Sequence, residues 1–107
     1  MARETRVVFE PVRTIAFGAI TPGYVGIADP FSRPVRWILI QNLTDANLMF
    51  SLNGVDDNFP LCAQGYLLSD WASNKLTSDG YYIPENTRVY VKQLGVPTLG
   101  AVYVTVT

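Results

Sequence analysis

Histidine is missing from the 107 residues, and cysteine occurs once, at Cys62. The first absence removes the commonest general base and the commonest metal-ligating side chain. The second excludes an internal disulfide and a thiolate cage around zinc. Charge is scarce as well: Asp, Glu, Lys and Arg make up 16% of the chain, against roughly a quarter in an average globular domain. Eight basic residues face nine acidic ones, a net charge of -1. That balance argues against a nucleic-acid binder working by bulk positive charge. No apolar run approaches the roughly 18–20 residues of a membrane span; the longest, Trp37-Ile38-Leu39-Ile40, has strand length. Met1 to Phe9 lacks the apolar stretch of about 7–15 residues that a secretory signal needs. The expectation is a chain made and kept in a reducing cytosol, which suits a lone thiol. Asn42-Leu43-Thr44 matches a glycosylation acceptor, and without a secretion signal it reads as chance.

What the sequence does have is architecture. Hydrophobic residues reach 49%, too many for a disordered chain, and the length is that of one domain. Seven prolines and eight glycines cut the chain into short pieces, as in an all-β domain with many turns. Val12–Ile20 reads as a first strand. Thr21-Pro22-Gly23 is a turn, and Tyr24–Ile27 a short edge strand. Val35–Asn42 is the clearest strand. It is apolar at both alternating sets, which predicts a central position covered on both faces. Leu48–Leu52 follows and is expected to pair with it as a hairpin, ending at the turn dipeptide Asn53-Gly54. Phe59–Cys62 is short, and Gly65–Trp71 reads as a strand in preference to a brief helix. Thr87–Leu94 alternates. Ala101–Thr107 closes the chain with Val102, Val104 and Val106 on one face. Helical periodicity appears nowhere. The fold class is therefore all-β, a single antiparallel β-sandwich or jelly-roll-like barrel of about seven or eight strands. Residues 1–11 form an N-terminal arm and 12–107 the sandwich domain.

Chemistry is thin. Cys62 has no histidine to activate it and reads as a small buried apolar residue. Ser73 and Lys75 lack the spacing and supporting motifs of a serine–lysine dyad. Asp56 and Asp57, flanked by Asn53 and Asn58, offer paired carboxylates or oxygen ligands for calcium, but without the EF-hand spacing they read as a solvated turn. Asp45 and Asp70 receive the same reading. Gly-rich phosphate loops are absent. No catalytic residue, metal ligand or cofactor is assigned. Aromatic side chains remain. Trp37 lies in the best core strand and reads as core. Trp71, Tyr81 and Tyr82 lie at loop margins, where Tyr and Trp favour protein interfaces. Arg3, Glu4 and Arg6 surround Val7-Val8-Phe9 ahead of Pro11. Two readings stand side by side there: an arm that docks on a neighbour by strand addition, or an ordinary first strand.

The run Val35-Arg36-Trp37-Ile38-Leu39-Ile40-Gln41-Asn42-Leu43-Thr44-Asp45 leads into Leu48-Met49-Phe50-Ser51-Leu52-Asn53-Gly54. Ser73-Asn74-Lys75, Pro84–Lys92 and Pro97–Tyr103 follow. Over about residues 35–107 this succession resembles small β-sandwich structural proteins of tailed-bacteriophage virions, of the head decoration (cement) or neck and tail accessory type. The resemblance implies a non-enzymatic subunit present in many copies, with no catalytic residues. It implies a virion location after assembly in the host cytoplasm. The expected partners are the major capsid protein or other virion subunits and further copies of the chain, with no nucleic acid and no membrane. The expected interface residues are Arg6, Val8 and Phe9 in the arm and Trp71, Tyr81 and Tyr82 at the loop edge. The rival from another class is a carbohydrate-binding β-sandwich, which needs exposed coplanar aromatics with polar neighbours, such as Trp71 with Asp70 and Asn74.

Overall fold

A computed structural model describes residues 9–70 and 83–107. Eight strands run in the order β1 (Arg13–Ala16), β2 (Val25–Gly26), β3 (Trp37–Asn42), β4 (Leu48–Ser51), β5 (Phe59–Leu61), β6 (Tyr66–Asp70), β7 (Tyr90–Gln93) and β8 (Ala101–Val106). They form two four-stranded sheets, β1-β8-β3-β6 and β2-β7-β4-β5. Every pairing is antiparallel. The pairs are nested: β1 with β8, β2 with β7, β3 with β6, β4 with β5. A long hairpin rolled up so that β3 also meets β8 and β4 also meets β7 gives this order. It is the jelly-roll wrap of a double-sheet sandwich.

Strand alternation decides what is buried. Ile38 and Ile40 of β3 point inward with Val102, Val104 and Val106 of β8, facing Leu48 and Phe50 of β4 and Val91 of β7. Ile27, Phe31, Val35 and Val89 complete the core from the connections. Phe50 stacks on Phe59 of the neighbouring strand at 5.5 Å between ring centres. The alternation of β8 is the one its sequence predicts.

Three expectations are corrected. β3 and β4 are not a hairpin; they lie in different sheets, and the short connection between them crosses from one layer to the other. β3 is central, between β8 and β6, but among the described residues only its inner face is covered. Trp37, Leu39 and Gln41 are half-exposed on the outer face. The predicted first strand is shorter than Val12–Ile20, because Phe17–Ala19 form a 3₁₀ turn.

Asn42 explains how the layer crossing is held. Its side chain is fully buried. Its amide nitrogen donates to the carbonyls of Ala46 and Cys62, both at 3.0 Å. Its oxygen accepts from the Thr44 backbone at 3.1 Å and the Thr44 hydroxyl at 2.6 Å. A buried amide satisfied on both atoms fixes the turn, and it leaves Asn42 no room for a glycan. Nearby, Asp45 accepts from the Thr98 N–H at 2.7 Å and from the Thr98 hydroxyl, tying the β3–β4 connection to the β7–β8 connection. Gly100 sits there at φ 91°, where a Cβ would overlap the Leu43 carbonyl.

Candidate interaction surface

The outer face of the β1-β8-β3-β6 sheet follows from its registers. Leu39 stands between Leu68 of β6 and Thr105 of β8; Gln41 stands between Tyr66 and Tyr103. Thr14 continues the second row beyond Tyr103. Tyr66 is 68% and Leu68 51% exposed. At the far end of β3, the Phe9 ring meets Trp37 edge-on, 5.7 Å between centres and 85° between planes. Phe9 is itself 57% exposed. Among the described residues, Asp70, in register with Trp37 at the end of β6, is the one charged position in these rows. Four strands at about 4.8 Å spacing and six residues at about 3.3 Å give a footprint of roughly 400 Å². The largest apolar patch on a typical monomer is about 300–600 Å² and is often functional.

The lack of charge continues around one end of the sandwich. Four connections meet there: 17–24, 43–47, 62–65 and 94–100. Of the chain's charged residues only Asp45 falls in them, and it is engaged by Thr98. Phe17, Leu43, Leu94, Val96 and Leu99 are exposed at this end. The backbone holds them in place: Phe17 N–H donates to Gly100 at 3.1 Å, and Leu94 N–H to Asn47 at 3.0 Å. Cys62 lies in the same region and is exposed, which corrects the expectation of a buried thiol.

Elsewhere, charged side chains among the described residues make two built contacts. On the outer side of the second sheet the Tyr24 hydroxyl donates to Asp57 Oδ1 at 2.5 Å, and Lys92 Nζ reaches the same oxygen at 3.0 Å. Burial first, and then Asp57, push the Tyr24 phenol up to about 12. The Tyr24 hydroxyl and Lys92 hold the Asp57 carboxyl below its ordinary range. This clasp ties the 52–58 turn to the sheet, so Asp57 is part of a built contact and not only a solvated turn residue. Lys92 lies 4.8 Å from the Tyr24 ring centre and Arg88 5.8 Å from that of Tyr90. Those cations already occupy the rings, which counts against a sugar-stacking platform on this side.

Glu10 and Arg13 form the other built contact. Arg13 Nη2 bonds Glu10 Oε1 at 2.7 Å with both side chains buried. Arg13 also donates to the carbonyls of Asp29 at 2.7 Å and Pro30 at 3.0 Å. Its guanidinium lies over the Phe31 ring at 5.1 Å. Burial raises the Glu10 carboxyl, but the bonds from Arg13 and Ser32 outweigh it and leave it below its ordinary value. A cavity of about 290 Å³ lies alongside, with Asp29, Pro30 and Ser32 in its wall. The pair fastens the root of the N-terminal segment, one residue after Phe9.

Of the six residues expected at an interface, the structure places Phe9, and places it on the apolar face. Arg6, Val8, Trp71, Tyr81 and Tyr82 lie outside the described residues, as do Ser73 and Lys75. Trp37 corrects the core reading: it is on the outer face, half-buried beneath Phe9. Leu39, Tyr66, Leu68 and Tyr103 were not singled out as interface residues by sequence. The available signal was the second apolar set of β3. Among the described residues no three His, Cys, Asp or Glu side chains gather as metal ligands, and no helix is long and apolar enough to cross a membrane. Comparison with protein-family models, with curated proteins and with solved structures found no match.

Proposed function

We propose that this protein is a non-enzymatic structural subunit of a bacteriophage virion, most specifically a head decoration protein that binds capsid subunits. The observation that carries the reading is the outer face of the first sheet: Phe9, Trp37, Leu39, Tyr66, Leu68 and Tyr103, in rows where Asp70 is the one charged position among the described residues. Its roughly 400 Å² is about half of the 800 Å² per partner in a standard interface. The uncharged loop end and the arm are the natural sources of the rest. Many copies on a lattice multiply such modest contacts into a firm attachment. By fold-level analogy alone, the jelly-roll wrap, common among viral capsid and lectin domains, supports a coat-like role. The cation-capped tyrosines of the second sheet weigh against the carbohydrate-binding reading.

The test is co-sedimentation of the purified protein with mature heads and, separately, with tails. The expected result is saturable binding to heads that is lost when Leu39 is replaced by Lys. Binding to tails alone moves the assignment to a neck or tail component. Binding to neither overturns the virion reading.

A further inference from the structure

A sandwich has four edge strands, and each exposes a row of unpaired backbone groups that invites another chain. Here three of them are blunted. β2 has two residues. β5 carries Pro60 at its centre, which cannot donate to a ladder. β1 is bulged: Glu10 N–H bonds Val106 while Arg13 pairs with Val104, so two residues oppose one.

β6 is the exception. It has five residues, Tyr66-Leu67-Leu68-Ser69-Asp70, with no proline, lysine or arginine. Asn42 N–H donates to Gly65. That bond sets the parity of the β3–β6 ladder: Leu67 and Ser69 turn their backbone groups toward β3. The N–H and C=O of Tyr66, Leu68 and Asp70 therefore face away from the sheet. Among the described residues no other strand pairs with this edge.

We propose that β6 pairs antiparallel with β6 of a second copy, about a two-fold axis at Leu68. That register is the one that pairs all three outward-facing residues of the strand. Leu68 faces the partner's Leu68 as a hydrogen-bonded pair, so both copies donate and accept the same two bonds. Tyr66 stands opposite the partner's Asp70, and the two Asp70 residues are kept apart. Centring on Asp70 sets like charges against each other. Centring on Leu67 or Ser69 engages only two of the three outward-facing residues, whereas centring on Leu68 engages all three. The paired copies share one eight-stranded sheet, and their apolar outer faces become one continuous surface. This inference is independent of the virion reading.

The test uses the full chain with Cys62→Ser, so that only an introduced thiol reacts. Opposed residues of a hydrogen-bonded pair have Cα atoms about 5.5 Å apart, within disulfide reach. Leu68→Cys is expected to give a disulfide-linked dimer as the main product of mild oxidation. Tyr66→Cys, whose equivalent lies four positions along the partner strand, is expected to stay unlinked. By sedimentation equilibrium the parent chain is expected to be a dimer and Leu68→Pro a monomer, since the proline removes only an outward N–H. If Leu68→Pro does not fold, the crosslinking pair decides alone. A parent chain that stays monomeric with no Leu68→Cys product overturns the proposal, and equal crosslinking of Leu68→Cys and Tyr66→Cys overturns it as well.

Discussion

Replacing Arg13 by Met should be among the most damaging single changes available, and its partner mutation should repair it. In the native protein Glu10 Oε1 is bonded by Arg13 at 2.7 Å and by the Ser32 N–H at 3.3 Å, while Oε2 is buried without a partner. Without the guanidinium, a carboxylate only 5% exposed keeps one long bond. Breaking a buried pair on one side costs about 3–5 kcal/mol. A domain of this size holds roughly 5–15 kcal/mol in all. At about 4–8 °C per kcal/mol the melting temperature should fall by at least about 12 °C. The double change Arg13→Met with Glu10→Leu removes both charges. The carbonyls of Asp29 and Pro30 belong to exposed residues and turn to water. The double variant should therefore regain most of the loss. Urea unfolding of the parent, both single variants and the double variant closes the cycle. If Arg13→Met costs under about 1 kcal/mol, or the double variant is as weak as Arg13→Met, the pair is not the fastening described here.

Four further outcomes are expected. Gly100→Ala should lower the urea midpoint sharply, because φ 91° and the Leu43 carbonyl both oppose a side chain, whereas Gly18→Ala, with open space around it, should be near neutral. In acid, Glu10, Asp45 and Asp57 are all held below their ordinary values of 4.5, 3.8 and 3.8. The unfolded chain then binds protons first, so stability should be level above about pH 5 and fall below it; a denaturation midpoint unchanged down to pH 3 contradicts this. Spectrophotometric titration should show one phenol ionising near 12, absent in Tyr24→Phe. Leu39→Lys should leave the circular dichroism spectrum and melting temperature close to the parent's, since Leu39 faces outward, while abolishing the proposed co-sedimentation with mature heads.

Sequence patterns revealed the strands and not their surroundings. β8 was legible because its valines alternate with Tyr103 and Thr105, and period-two alternation has one meaning in a sandwich. β3 was legible as a strand, but its two apolar faces admit two explanations. One is enclosure by the same molecule, which was the expectation. The other is an outer face left open by the chain, and Trp37 and Leu39 sit on the outer face. Periodicity within one chain does not separate them. The β3–β4 connection looked like a hairpin loop because loop length carries no record of which layer the chain enters next. Cys62 departs from the buried reading for a related reason: average burial describes residue types, and this residue follows directly after an edge strand. Glu10 and Arg13 gave no signal at all, since a pair three apart around Pro11 and Val12 is ordinary on a surface and becomes buried only when residues 29–32 close over it. Phe9 was picked out with the arm and lies on the apolar face, beside a tryptophan that the same reading had assigned to the interior.

The nested strand order also governs how the chain reaches this state. The innermost pair, β4 and β5, closes a connection of seven residues, 52–58, whereas β1 and β8 meet only after some eighty intervening residues have been gathered. Closing short loops first is entropically cheaper, so assembly should run from the middle of the sequence outward. β1 and β8 then come side by side in the last step, like the drawstring of a bag.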